Sequence, residues 1–105
     1  MKLLDSSIFA DTVKASPHLV LVDFFADWCG PCKAIAPLLE EWDELYPNLD
    51  IFKVDIDASF DLAKTFQISS VPTFKFFKKG ECVYTQVGLL SASGLEAIIR
   101  THLPQ

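Results

Sequence analysis

Apolar and polar positions alternate along this chain in blocks that predict strands and helices in turn. The run Leu19–Phe25 is apolar except for Asp23, a pattern typical of a strand that is buried on both faces. Ile51–Ile56 alternates between apolar and polar residues and predicts a second strand. Two further runs, Thr73–Phe77 and Cys82–Val87, enclose a Lys-Lys-Gly-Glu turn and predict a β-hairpin.

Helical spacing of apolar residues predicts four helices between and after these strands. Their predicted starts are Ser7, a Cys-Gly-Pro-Cys motif, Ser59, and either Ser91 or Ser93. The first should end at Ala15, and Ser93 with Glu96 matches a capping box for the last. Pro37 lies inside the second helix, where we expect a kink. Strands that alternate with helices predict an α/β architecture.

Composition narrows the class of protein. The chain has 105 residues, half of them hydrophobic, so we expect one domain over residues 1–105 with its own core. The net charge is −5 with acids and bases interspersed, which argues against a nucleic-acid or membrane surface. Asp5 precedes any signal-peptide core, and three cysteines make no disulfide framework, so a cytoplasmic location is expected.

The motif Cys29-Gly30-Pro31-Cys32 carries the chemistry. Two cysteines three residues apart at a helix start lie on one face, at a separation that suits a disulfide. Free N–H groups and the positive end of the helix dipole favour a thiolate there. The sequence therefore predicts a dithiol that cycles with its disulfide.

Two other interpretations of the cysteine pair stay open. The cysteines could be buried small apolar residues, or they could belong to a zinc site. Further zinc ligands would have to come from Cys82, His18 and His102, which are scattered singly, so no metal site is expected.

Asp23 is an acidic residue within an apolar strand. Burial raises the pKa of such a carboxyl group, and an acid of this kind beneath the dithiol can exchange a proton with Cys32. The alternative is that Asp23 ends its strand and faces water.

A set of short motifs resembles the thioredoxin family across almost the whole chain. They are Val22-Asp23-Phe24, Trp28-Cys29-Gly30-Pro31-Cys32-Lys33, Pro37, Lys53, Val71-Pro72-Thr73, Gly80 and Gly88. The resemblance implies a central mixed β-sheet flanked by helices on both faces, and protein disulfide reduction as the activity. Phe25, where many family members carry tryptophan, and the additional thiol of Cys82 depart from the pattern.

The resemblance also implies roles for individual residues. Cys29, nearest the helix end and the more exposed thiol, is expected to attack substrate disulfides, and Cys32 to resolve the mixed disulfide. Gly30 and Pro31 supply no cation to the thiolate and should favour a reductant. Lys53 is expected near Asp23, although in isolation it would be an ordinary surface lysine.

Substrate recognition follows from the same resemblance. A cis bond before Pro72 would place Val71 beside Cys29 within an apolar patch formed by Trp28, Gly30, Pro31, Val71, Pro72, Val87 and Gly88. Core packing is the alternative for Val71 and Val87. The implied partners are disulfide-containing proteins and thioredoxin reductase, which would pass on electrons from NADPH, with no bound cofactor and a monomeric chain. A binding module that holds a partner without redox chemistry, and a specialised oxidant or isomerase, remain competing functions.

Overall fold

The computed structural model describes residues 1–104, so Gln105, the last residue of the predicted domain, lies outside the described residues. It contains five strands and four helices in these residues. In chain order they are β1 (Lys2–Leu3), α1 (Phe9–Ala15), β2 (Leu19–Phe25), α2 (Gly30–Leu45), β3 (Leu49–Asp55), α3 (Phe60–Thr65), β4 (Thr73–Lys78), β5 (Glu81–Val87) and α4 (Ala92–His102).

The strands form one mixed sheet in the order β1-β3-β2-β4-β5. β3 pairs in parallel with both β1 and β2, whereas β4 runs antiparallel to β2 and to β5. β2 is the central strand of the sheet and is buried on both faces, which explains why its sequence is almost continuously apolar.

Each face of the sheet has its own core. Leu21 of β2 belongs to a buried cluster with residues of α2 and α4, among them Leu39 and Ile99. Val22, the next residue, points to the other face and packs in a second cluster with residues of α1 and α3. Helices therefore cover both faces, which confirms the predicted architecture.

The hairpin turn joins β4 to β5 through Lys79 and Gly80. Both residues have positive φ, 53° and 83°, as a two-residue type I′ turn requires. The strands are each one residue longer than predicted, because Lys78 and Glu81 still pair across the turn.

The helix ends differ from the sequence expectations. α1 begins at Phe9 rather than Ser7, because Asp5 accepts hydrogen bonds from the Ser7 backbone and hydroxyl and holds a turn before the helix. The capping box at Ser93 is wrong: Ser91 is the cap, and its hydroxyl accepts from the Gly94 N–H at 3.1 Å. No described helix combines the length and the apolar character needed to span a bilayer.

Candidate active site

The two motif cysteines lie where β2 gives way to α2. Cys29 is the cap residue of α2, and Cys32 lies in its first turn. The Cys32 N–H donates to Cys29 Sγ at 3.2 Å, so the sulfur occupies the position of a helix-capping acceptor. The cysteines form a disulfide with a Cα–Cα separation of 5.3 Å. The first turn of the helix thus brings both sulfurs together, as the spacing predicts.

Exposure does not distinguish the two cysteines. Each is 4% exposed, so the expectation that Cys29 is the more exposed thiol is wrong for the disulfide form. The cause is local packing: both cysteines cluster with buried Ala26, and half-buried Val71 packs against them. The difference between them is one of position, because Cys29 caps the helix while Cys32 lines a cavity behind it.

Asp23 lies at that cavity and is buried, so the alternative that it faces water at the end of its strand is wrong. The cavity has a volume of about 140 Å³, and both Asp23 and Cys32 line it. The aspartate is 3% exposed, and its Oδ1 atom has no hydrogen-bond partner among the described residues. Burial raises the pKa of Asp23 to about 7, and the positive charge of Lys53 opposes that rise. The predicted burial of this carboxyl group is confirmed.

Lys53 is the register partner of Asp23 across the parallel β2–β3 pair. It lines the same cavity, so the structure brings the two residues together. Its ammonium is not paired with the carboxylate within 4.0 Å; instead, Nζ lies 5.7 Å from the centre of the Phe25 ring. The lysine therefore acts on Asp23 at a distance.

The residues predicted to form the apolar patch come from the start of α2, from the segment before β4 and from the end of β5, and Val71 packs against the two cysteines. The Val71–Pro72 bond is cis, and the Pro72 carbonyl accepts a hydrogen bond from the Gly88 N–H at 2.9 Å. Val87 is 60% exposed, which rules out core packing for it, whereas Val71 is half-buried. Pro72 itself is buried and contributes little surface.

Trp28 has the largest side chain among the residues predicted to form the patch. It is 68% exposed, and its indole Nε1 donates to Asp57 Oδ2 at 2.9 Å. Gly30 and Pro31 follow it as exposed residues in the first turn of α2. Asp57 was not singled out from the sequence, since nothing marks one carboxylate after β3 as a partner of an indole. Its carboxylate fixes the orientation of the Trp28 indole through this hydrogen bond.

The remaining candidate ligands lie apart from the disulfide. Cys82 is an exposed free thiol on β5. His18 contacts Asp50 at 3.3 Å, and the His102 ring stacks on Phe76. Within residues 1–104, no group of three histidine, cysteine or acidic side chains is arranged to hold a metal ion.

Two cysteines joined at a helix start can cycle between dithiol and disulfide, so the site belongs to the class of dithiol–disulfide oxidoreductases. The thioredoxin family model matches residues 1–101. The chain is 42% identical over 104 residues to thioredoxin of Bacillus subtilis, covering 98% of this chain and 97% of that protein. It is 44% identical over 102 residues to thioredoxin-2 of Pyricularia oryzae, covering 97% of this chain but only 58% of that longer protein.

The fold comparison agrees. A solved structure of Plasmodium falciparum thioredoxin matches with a TM-score of 0.90 at 38% identity, covering 97% of this chain and 99% of that one. The chain therefore belongs to the thioredoxin family, whose members are protein-disulfide oxidoreductases.

Proposed function

We propose that this chain is a general reductant of protein disulfides, with Cys29 as the nucleophile and Cys32 as the resolving thiol. The observation that carries the proposal is that Cys29 caps α2 while Cys32 shares a cavity with buried Asp23. The cap position favours a thiolate at Cys29, because backbone N–H groups and the helix dipole stabilise negative charge there.

The reaction transfers two electrons in two exchanges. The Cys29 thiolate attacks one sulfur of the substrate disulfide, and the bond to the other sulfur breaks to release a thiolate. Cys32, once deprotonated, attacks Cys29 Sγ in the mixed disulfide and releases the second substrate thiolate. The protein ends as the Cys29–Cys32 disulfide, and the substrate ends as two thiols.

Asp23 is the base that takes the proton from Cys32 and returns it in the reverse direction. A general base works best when its pKa lies near the working pH, and the pKa of Asp23 is raised to about 7 by burial. Lys53 tunes that carboxyl through its charge. Gly30 and Pro31 place no cation between the cysteines, which favours the reductant role.

Substrates bind the apolar patch around the disulfide as extended segments. Trp28 and Val87 present exposed apolar surface. The backbone of Val71 makes no hydrogen bond within the described residues and is free to pair with a substrate strand. A patch of this kind binds many sequences with modest selectivity, as a general reductant needs.

The physiological setting completes the proposal. The whole chain acts as one thioredoxin domain and as a monomer in the cytoplasm, without a bound cofactor. Thioredoxin reductase returns the disulfide to the dithiol with electrons from NADPH.

The test is NADPH consumption with thioredoxin reductase and insulin as the disulfide substrate. Wild type should turn over, Cys29→Ser should not, and Cys82→Ser is the matched control that should retain activity. The reductase must first be shown to accept this protein, by its reduction of the Cys29–Cys32 disulfide. Turnover that survives Cys29→Ser would contradict the assigned nucleophile, and no turnover by any folded variant would favour the partner-holding module.

A further inference from the structure

Phe25 shares a sheet face with the catalytic aspartate. Alternate residues of a strand point to the same side, so Leu21, Asp23 and Phe25 of β2 all face α2. Phe25 is half-buried and lines the cavity that Asp23 and Cys32 share. Its ring therefore forms part of the surroundings of the proton-transfer site.

Lys53 comes to the same cavity from the neighbouring strand. As the register partner of Asp23, it has the reach to bring its ammonium close to the carboxylate. It does not do so: Nζ lies over the face of the Phe25 ring, 5.7 Å from its centre. That separation is within the range in which the negative face of an aromatic ring attracts a cation.

We propose that Phe25 is a positioning residue for proton transfer, because its ring holds the Lys53 ammonium over its face and away from the Asp23 carboxylate. The inference rests on the function proposed for Asp23 and adds a reason for its chemistry. An ammonium in direct contact would favour the ionised carboxylate strongly. Held at the ring, Lys53 exerts a weaker effect, and the carboxyl can still gain and lose a proton near neutral pH.

Other charged groups also line the cavity. Asp27 follows β2, Lys33 and Glu40 come from α2, and Met1, which carries an α-amino group, precedes β1. A test must therefore separate the contact of Phe25 with Lys53 from the summed field of these groups. Variants that change only residues 25 and 53 leave these four residues in place.

The test is a carbon-13 NMR titration of the Asp23 carboxyl in the full-length disulfide form. Phe25→Leu removes the aromatic face, and Phe25→Trp keeps one and is the matched control. If the released ammonium, which is not within 4.0 Å of the carboxylate in wild type, comes to about 4 Å from it, the pKa of Asp23 should fall by about 1. Phe25→Trp should leave it within about 0.3 of wild type.

The same substitutions in a Lys53→Met background separate this effect from hydration. Phe25→Leu could also admit water to the cavity, which would lower the pKa of Asp23 with or without the lysine. Our proposal predicts that Phe25→Leu changes the pKa only while Lys53 is present. An equal fall in both backgrounds, or a fall in Phe25→Trp equal to that in Phe25→Leu, would overturn it.

A second replacement at position 25 separates the loss of the ring's negative face from the change in packing that Phe25→Leu also causes. A polyfluorinated phenylalanine placed at position 25 keeps the ring but withdraws negative charge from its face, so the pKa of Asp23 should fall as in Phe25→Leu. An unchanged pKa would contradict the proposal. Because the readout is the carboxyl signal, it is independent of insulin reduction, and failure of either proposal can be recognised separately.

Discussion

Replacement of Asp23 by alanine should make the disulfide form more stable at alkaline pH and should remove one component of its pH dependence. In the unfolded chain the carboxyl titrates near 3.8, whereas in the fold its pKa is about 7. Between these values the folded protein holds a proton that the unfolded chain has released. The free energy of unfolding of wild type therefore falls as the pH rises through this window.

The magnitude follows from the size of the difference. At about 1.4 kcal/mol for each pKa unit, a rise from 3.8 to about 7 corresponds to about 4 kcal/mol. The small cavity that alanine leaves lowers stability by an amount that does not depend on pH. The stability of Asp23→Ala relative to wild type should consequently increase by about 4 kcal/mol between about pH 4 and about pH 8.

The assay is equilibrium unfolding in urea at a series of pH values, followed by tryptophan fluorescence. Both proteins should carry Cys82→Ser, so that no free thiol titrates or exchanges, and should be kept in the disulfide form. Subtraction of the two stability curves cancels the other titrating groups. If the free energies of unfolding of the two proteins change with pH in parallel across this range, the inference that burial raises the pKa of Asp23 is refuted.

Three further results are expected. Asp23→Ala should slow disulfide exchange near neutral pH by a factor on the order of 10², measured by stopped-flow fluorescence, and an unchanged rate from about pH 6 to about pH 9 would remove Asp23 from proton transfer. Val87→Glu should raise the KM for insulin several-fold in the NADPH assay, whereas Val83→Glu, at another exposed position of β5, should not. Equal effects of the two substitutions would argue against a substrate-binding patch at Val87. Phe74→Ala should lower the free energy of unfolding by about 3–5 kcal/mol in urea titrations, because the ring is fully buried, and a loss below about 1 kcal/mol would contradict its place in the core.

The sequence predicted the elements with strong patterns and missed those that depend on contacts elsewhere. β2 has the predicted bounds because seven consecutive residues carry its pattern. β1 has only two residues, Lys2 and Leu3, and no periodicity can mark so short a strand. Leu45 and Phe60 follow helical apolar patterns yet are 60% and 70% exposed, because no element within residues 1–104 packs over them.

The candidate site likewise has features that the sequence predicted and features that it did not. The motif spacing located Cys29 and Cys32, and the apolar surroundings of Asp23 predicted its burial. The cis bond at Val71–Pro72 was expected only through the family resemblance. The contacts of Trp28 with Asp57 and of Lys53 with Phe25 join residues from different elements, and their partners become evident only when the sheet brings those elements together.

The most direct measurement is the identity of the cysteine that forms the mixed disulfide with substrate. Reduced Cys32→Ser protein should be mixed with an insulin disulfide, quenched with acid and mapped by mass spectrometry. Our mechanism predicts a substrate chain attached at Cys29, with Cys82 unmodified and the adduct long-lived because the resolving thiol is absent. An adduct at Cys82 alone, or none at Cys29 while the fold is intact, would contradict the central role of the Cys29–Cys32 pair.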